Sequence, residues 1–94
     1  MATMIVRHKV ADFNNWKKVF DEFTETRRGH GWVSHDILRD NSDPNFVTIV
    51  DRAKSLDGLM AYGSSQGLKD AMHRAGVISA PEISIMNDDE HFSY

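Results

Sequence analysis

Five residues at the middle of the chain, Asn41-Ser42-Asp43-Pro44-Asn45, form a dense turn signal. Asn, Asp and Ser bend the backbone through side-chain hydrogen bonds, and Pro fixes φ. On either side lies a strand-like run. Trp32 to Asp40 carries Val33, Ile37 and Leu38, and Phe46 to Arg52 begins Phe-Val-Thr-Ile-Val. A connection this short makes the two runs an antiparallel hairpin.

Each flank of the hairpin reads as a helix and a strand. Upstream, Met4 to Val10 holds the β-branched Ile5, Val6 and Val10, and Asp12 is a good N-cap for a helix starting at Phe13. Phe13, Trp16, Phe20 and Phe23 then recur at the spacing of one helix face, with Lys17, Lys18, Asp21, Glu22 and Glu25 left for water. Arg27 and Arg28 fall in the last turn, where cations suit the helix dipole, and Gly29 is placed to close the helix in the left-handed conformation. Downstream, Ser55 caps a short helix with Leu56, Leu59 and Met60, and Gly63-Ser64-Ser65 interrupts it. A second piece with Leu68, Ala71, Met72 and Ala75 stops at Gly76, and Glu82 to Met86 is the last strand.

Strand, helix, strand, strand, helix, strand is a ferredoxin-like βαββαβ order. Right-handed crossovers put both helical segments on one face of a four-stranded antiparallel sheet, giving an α+β fold. The strands are apolar on both faces, so the uncovered face needs another layer. A second copy of the same sheet is the simplest supplier, which predicts a homodimer with a barrel-like interior.

The 94 residues suit one domain spanning 1–94, with 87–94 as a polar C-terminal tail. A chain this short buries only roughly 60–65% of its unfolded surface, so a partner would add useful burial. The absence of cysteine excludes disulfides and thiolate chemistry. A net charge of −3 argues against a nucleic-acid or anionic-membrane partner. No run is long enough for a membrane span, and Met1 to Val10 lacks a signal peptide's apolar core, so a cytoplasmic location is expected.

Strand alternation sorts side chains into faces. One set holds Val6, His8 and Val10; Val33, His35, Ile37 and Arg39; and Phe46, Thr48, Val50 and Arg52. The other holds Ile5, Arg7 and Lys9; Trp32, Ser34, Asp36 and Leu38; and Val47, Ile49 and Asp51. The second set is more apolar at its centre and is assigned to the helices. The first would then line the dimer cavity, with Val6, Val33, Ile37 and Val50 as walls and Thr48 as a polar group. His8 and His35 are the acid–base candidates there, because imidazole both takes and gives a proton near neutrality. Two histidines alone do not make a closed metal site, and no metal is assigned. Tyr62 is placed to reach the cavity mouth with its hydroxyl. Trp16 and Trp32 read as core. Asp88, Asp89, Glu90 and His91 read as a solvated terminal run, while Phe92 and Tyr94 are available to pack on a partner subunit.

Three segments carry a resemblance: residues 10–21, Val-Ala-Asp-Phe-Asn-Asn-Trp-Lys-Lys-Val-Phe-Asp; residues 38–45, Leu-Arg-Asp-Asn-Ser-Asp-Pro-Asn; and residues 64–77, Ser-Ser-Gln-Gly-Leu-Lys-Asp-Ala-Met-His-Arg-Ala-Gly-Val. With them the chain resembles the dimeric α/β-barrel superfamily, near the antibiotic biosynthesis monooxygenases and polyketide-cyclase-like proteins. The resemblance implies a homodimer binding a small apolar carbonyl or phenolic compound. It implies cyclisation, isomerisation or monooxygenation without a cofactor; the alternative reading of the same fold is a non-catalytic metabolite-binding or interaction protein. Where relatives place an acid and then an aromatic at the end of the third strand, this chain reads Asp51-Arg52.

Overall fold

Strand β1 (Ala2–Lys9) runs through the middle of the sheet, and a computed structural model describes all residues 1–94 around it. The Asp12 carboxylate accepts the Asn15 N–H at 2.9 Å and starts α1 (Phe13–Glu22). The expected single helix breaks at Phe23. The Thr24 hydroxyl donates to the Asp21 carbonyl at 2.7 Å, competing with the helical ladder, and α2 (Thr24–Gly29) starts afresh. Gly29 is the last residue of α2. The left-handed position is Gly31 instead, at φ 93°.

Strands β2 (Trp32–Arg39) and β3 (Phe46–Ala53) form the hairpin. Its turn is held by Asp40, whose carboxylate accepts the N–H groups of Ser42 and Asp43. Ser55 caps α3 (Leu56–Gly63), and Ser65 caps α4 (Gln66–Arg74). Gly76, at φ 79°, ends the second helical segment as expected. β4 (Glu82–Asn87) closes the order β2-β3-β1-β4, with every neighbouring pair antiparallel. No helix is long and apolar enough to cross a membrane.

The register corrects the assignment of faces. Directly paired residues of antiparallel strands share a face. Val6 pairs with Ile49 and His8 with Val47, so Val6, His8 and Val10 look toward the helices with Val47, Ile49 and Asp51. Arg7 and Lys9 take the open face with Thr48 and Phe46. An irregularity between Trp32 and Ser34 shifts β2 by one residue. A bulge leaves one residue unpaired and reverses the alternation beyond it. Trp32 therefore faces the helices, and so do His35, Ile37 and Arg39, paired with Asp51, Ile49 and Val47. Val33 sits at the bulge and is 46% exposed. Thr48 and Val50 do lie on the open face, as expected, but the sheet separates them from His8.

The core fills the space between sheet and helices. Met4, Val10, Val47 and Leu59 are its largest fully buried side chains. Trp16 and Trp32 are buried in it as expected.

Candidate active site

The helices do not close completely on the sheet. A pocket remains, walled by Val6, Trp16, Phe20, Ile49, Leu68 and Met72. Its volume is about 60 Å³. Four polar side chains converge on it: His8 from β1, Asp51 from β3, Tyr62 from α3 and Arg27 from α2. All four are at least nine-tenths buried.

His8 is held edge-on to Trp16, ring centroids 5.9 Å apart. Neither ring nitrogen has a hydrogen-bond partner. Burial disfavours the charged ring and lowers its pKa from 6.5 to about 4. His8 is therefore a neutral imidazole at pH 7, with one donor and one acceptor nitrogen.

Asp51 is the opposite case. Burial raises its pKa to about 6, and Oδ1 has no partner. The Trp32 indole N–H and the Arg27 charge favour the anion and oppose the rise. The indole nitrogen remains outside hydrogen-bonding geometry. A carboxyl with a pKa close to the working pH is suited to general-base work.

Arg27 stacks its guanidinium 3.7 Å from the centre of the Phe20 ring. Its one side-chain hydrogen bond is a long one, 3.5 Å to the Thr24 hydroxyl. The six ion pairs of the molecule all lie at the surface and include neither Arg27 nor Asp51. A buried cation and a buried carboxyl thus share one pocket without forming a bridge. Tyr62 packs edge-on against Trp32, centroids 5.1 Å apart. Burial pushes its phenol above the usual value, against the pull of Arg27.

The structure brings together only some of the residues expected from the sequence. His8, Val6 and Tyr62 line the pocket. His35 lies beyond Phe20, ring to ring at 5.1 Å, with its pKa lowered by burial and by the charges of Arg27 and Lys17. Ile37 packs at the edge of the core. Val33, Thr48 and Val50 are elsewhere. Arg27 and Asp51 were not expected in a site, yet both carry a signal. Arg27 stands four residues after Phe23 and seven after Phe20, on the apolar helix face, and Asp51 continues the alternation of Val47 and Ile49. No group of three or more His, Asp or Glu side chains is placed to hold a metal ion.

No protein-family model matches the sequence, and no curated protein matches it. Solved structures do resemble the fold. The cofactor-independent oxygenase SnoaB from Streptomyces nogalater superposes with a TM-score of 0.78 at 16% identity, covering 99% of this chain and 97% of that one. A protein from Caulobacter crescentus assigned to the antibiotic biosynthesis monooxygenases gives 0.74 at 19% identity, covering 95% and 90%. A protein from Nitrosomonas europaea with the same assignment gives 0.71 at 16%, covering 94% and 98%. At such identities the likeness is one of architecture. The chain has the ferredoxin-like α+β fold of SnoaB and of structures assigned to the antibiotic biosynthesis monooxygenases.

Proposed function

We propose that this protein is a homodimer that binds a small apolar carbonyl or phenolic compound in each subunit's interior pocket and moves a proton there without a cofactor. One observation carries the reading. His8 and Asp51 present unpartnered polar atoms to the same apolar space. A buried polar atom without a partner costs about 1–3 kcal/mol, and native structures rarely carry several together. A ligand hydroxyl or carbonyl would satisfy both residues.

Cyclisation, isomerisation and cofactor-free oxygenation of such compounds share one step, loss of a proton from the O–H or C–H next to a carbonyl. Asp51 takes that proton. His8, neutral, holds the substrate oxygen through its N–H. Arg27 and Tyr62 face the negative charge that develops on the enolate or phenolate oxygen. His35, set behind Phe20, acts on the position of that ring and of Arg27. The likeness to SnoaB supports this class of chemistry by analogy.

The dimer is assigned to the open sheet face. There Ile5, Thr48 and Val50 are only half-buried, and Leu38 and Met86 are exposed. A matching sheet from a second copy covers them. The reactive pocket then lies within each subunit, and the dimer supports the sheet that carries it.

Incubation with a panel of aromatic ketones and β-diketones in D2O tests the reading by following the α-proton signals. Accelerated exchange that disappears in Asp51→Asn is the expected result. Binding without accelerated exchange for any compound favours the second reading, a metabolite-binding protein without turnover. The pocket's roughly 60 Å³ accommodates a few waters, so in either reading Phe20, Phe23 or Met72 moves when the compound enters.

A further inference from the structure

Arg27 belongs to two surfaces at once. Inside, it closes the pocket of His8 and Asp51. Outside, it floors a cleft between α2 and the β2 bulge, shared with Thr24, Arg28, Trp32, Ser34 and His35. The cleft has a volume of about 320 Å³. No Asp or Glu lines it, although the chain as a whole carries a net charge of −3. Of the nearby carboxyls, Asp51 faces the interior pocket and the others are held in surface pairs, one of them on the cleft's own Arg28. Asp21 bridges Lys17 at 2.6 Å, Asp36 bridges Arg52 at 2.9 Å, and Glu25 pairs with Arg28 at the rim. Arg27 is only 4% exposed and bridges no carboxylate, a costly state for a guanidinium.

We propose that this cleft is an anion subsite, and that the ligand is a carboxylic acid whose carboxylate sits against Arg27, Arg28 and His35 while its apolar body enters the interior pocket past Phe20. Arg27 supplies the charge and a planar fork of donors that fits a carboxylate. His35 supplies a ring N–H, and the Thr24 and Ser34 hydroxyls stand beside it. The exposed Glu25 on Arg28 is displaced at small cost, since surface pairs of this kind contribute little. The position of the apolar body rests on the function proposed above. The anion subsite does not.

The test compares 4-phenylbutyrate with its uncharged amide, 4-phenylbutanamide, by amide-shift NMR titration of the full chain. The acid should bind about tenfold more tightly than the amide, as expected for one charge-assisted contact. It should shift Thr24, Ser34 and His8 together. Arg28→Gln, at the rim and so compatible with folding, should weaken the acid and leave the amide unchanged, and Arg27→Gln should remove the preference for the acid. Equal affinities, a preference that survives Arg27→Gln, or no binding of either probe would overturn the subsite. Amide-induced shifts at His8 with no preference for the acid sink the subsite alone. Acid-induced shifts at Thr24 and Ser34 without any at His8 uphold the subsite and sink the interior pocket.

Discussion

The His8 imidazole meets the Trp16 indole edge-on at 77°, and its two nitrogens have no hydrogen-bond partner. The same pocket holds Asp51, whose pKa is displaced in the opposite direction. Their effects on stability therefore oppose each other. His8 has a folded pKa of about 4 against 6.5 unfolded, so between those values the unfolded chain binds more protons and stability falls with acid. Asp51 has a folded pKa of about 6 against 3.8, so over nearly the same range the native state binds more protons and stability rises with acid. Each effect is on the order of 2 kcal/mol once partial solvent screening is allowed for. Urea unfolding between pH 4 and 6.5 should give a shallow profile for the wild type, falling mildly toward acid because His35 adds to the His8 trend. Asp51→Asn should steepen that fall, and His8→Gln should reverse it. Parallel profiles for all three proteins would show that the two groups are not perturbed in this way.

A β-carbon on Gly58 would overlap the His30 carbonyl oxygen. Both partners are backbone, so neither can swing aside, and α3 would have to lift from the loop before β2. Gly58→Ala should cost at least about 2 kcal/mol. For a domain of this size that lowers Tm by roughly 8–16 °C. Gly67, with nothing within 4 Å of the added carbon, is the control. Gly67→Ala should leave Tm unchanged or raise it, since Ala favours the helix by about 1 kcal/mol. Equal shifts for the two variants would refute the close approach at Gly58.

The helix face of Phe13, Trp16, Phe20 and Phe23, the hairpin turn and the caps at Asp12 and Ser55 were legible because each depends on neighbours in sequence. The faces of the sheet were not. Whether Val6 points with Ile49 or with Val50 is decided by pairing between β1 and β3, more than forty residues apart, and a one-residue difference turns every side chain over. The bulge after Trp32 has no glycine to announce it. Thus His8 and Tyr62 were singled out, His8 for the opposite face of the sheet, while Thr48 and Val50 were grouped with them across the sheet. Arg27 looked like an ordinary C-terminal helix cation, because a charge at that position is more often solvated than buried.

Val50 lies at the centre of the open face, between Ile5 on β1 and Asp36 on β2. Val50→Asp should place a charge in the middle of the proposed dimer interface and leave the helix side of the sheet intact. Light scattering coupled to size-exclusion chromatography should show a dimer for the wild type and a monomer for the variant, with unchanged far-UV circular dichroism. Removal of residues 88–94 tests the tail separately. Its root is tied by the Thr3 hydroxyl to Asp88 at 2.5 Å, while Phe92 and Tyr94 meet edge to face in the open. If those rings pack on the partner, the truncated chain should dissociate at a higher concentration than the full one. An unchanged dimer constant would remove the tail from the interface.

If Asp51 is the base, the acid limb of kcat/KM belongs to it. The free enzyme's essential base must be ionised, so activity should rise with pH and level off above an apparent pKa of about 6. An exposed carboxylate would have placed that limb near 4, and a protonated His8 acting as the acid would instead have activity fall as pH rises through about 4. Asp51→Asn keeps the shape of the pocket and removes the base. General-base catalysis contributes about 100- to 10,000-fold, so kcat should fall by at least two orders of magnitude with KM nearly unchanged. Asp51→Glu separates the base from the fold. It restores a carboxylate one methylene out of place, so partial recovery of kcat with the acid limb still present assigns the proton to this side chain. His8→Gln should raise KM more than it lowers kcat, because its neutral ring holds the substrate oxygen in ground state and transition state alike. A limb that persists in Asp51→Asn at undiminished kcat would move the base to another residue and leave Asp51 as a buried carboxyl of the core.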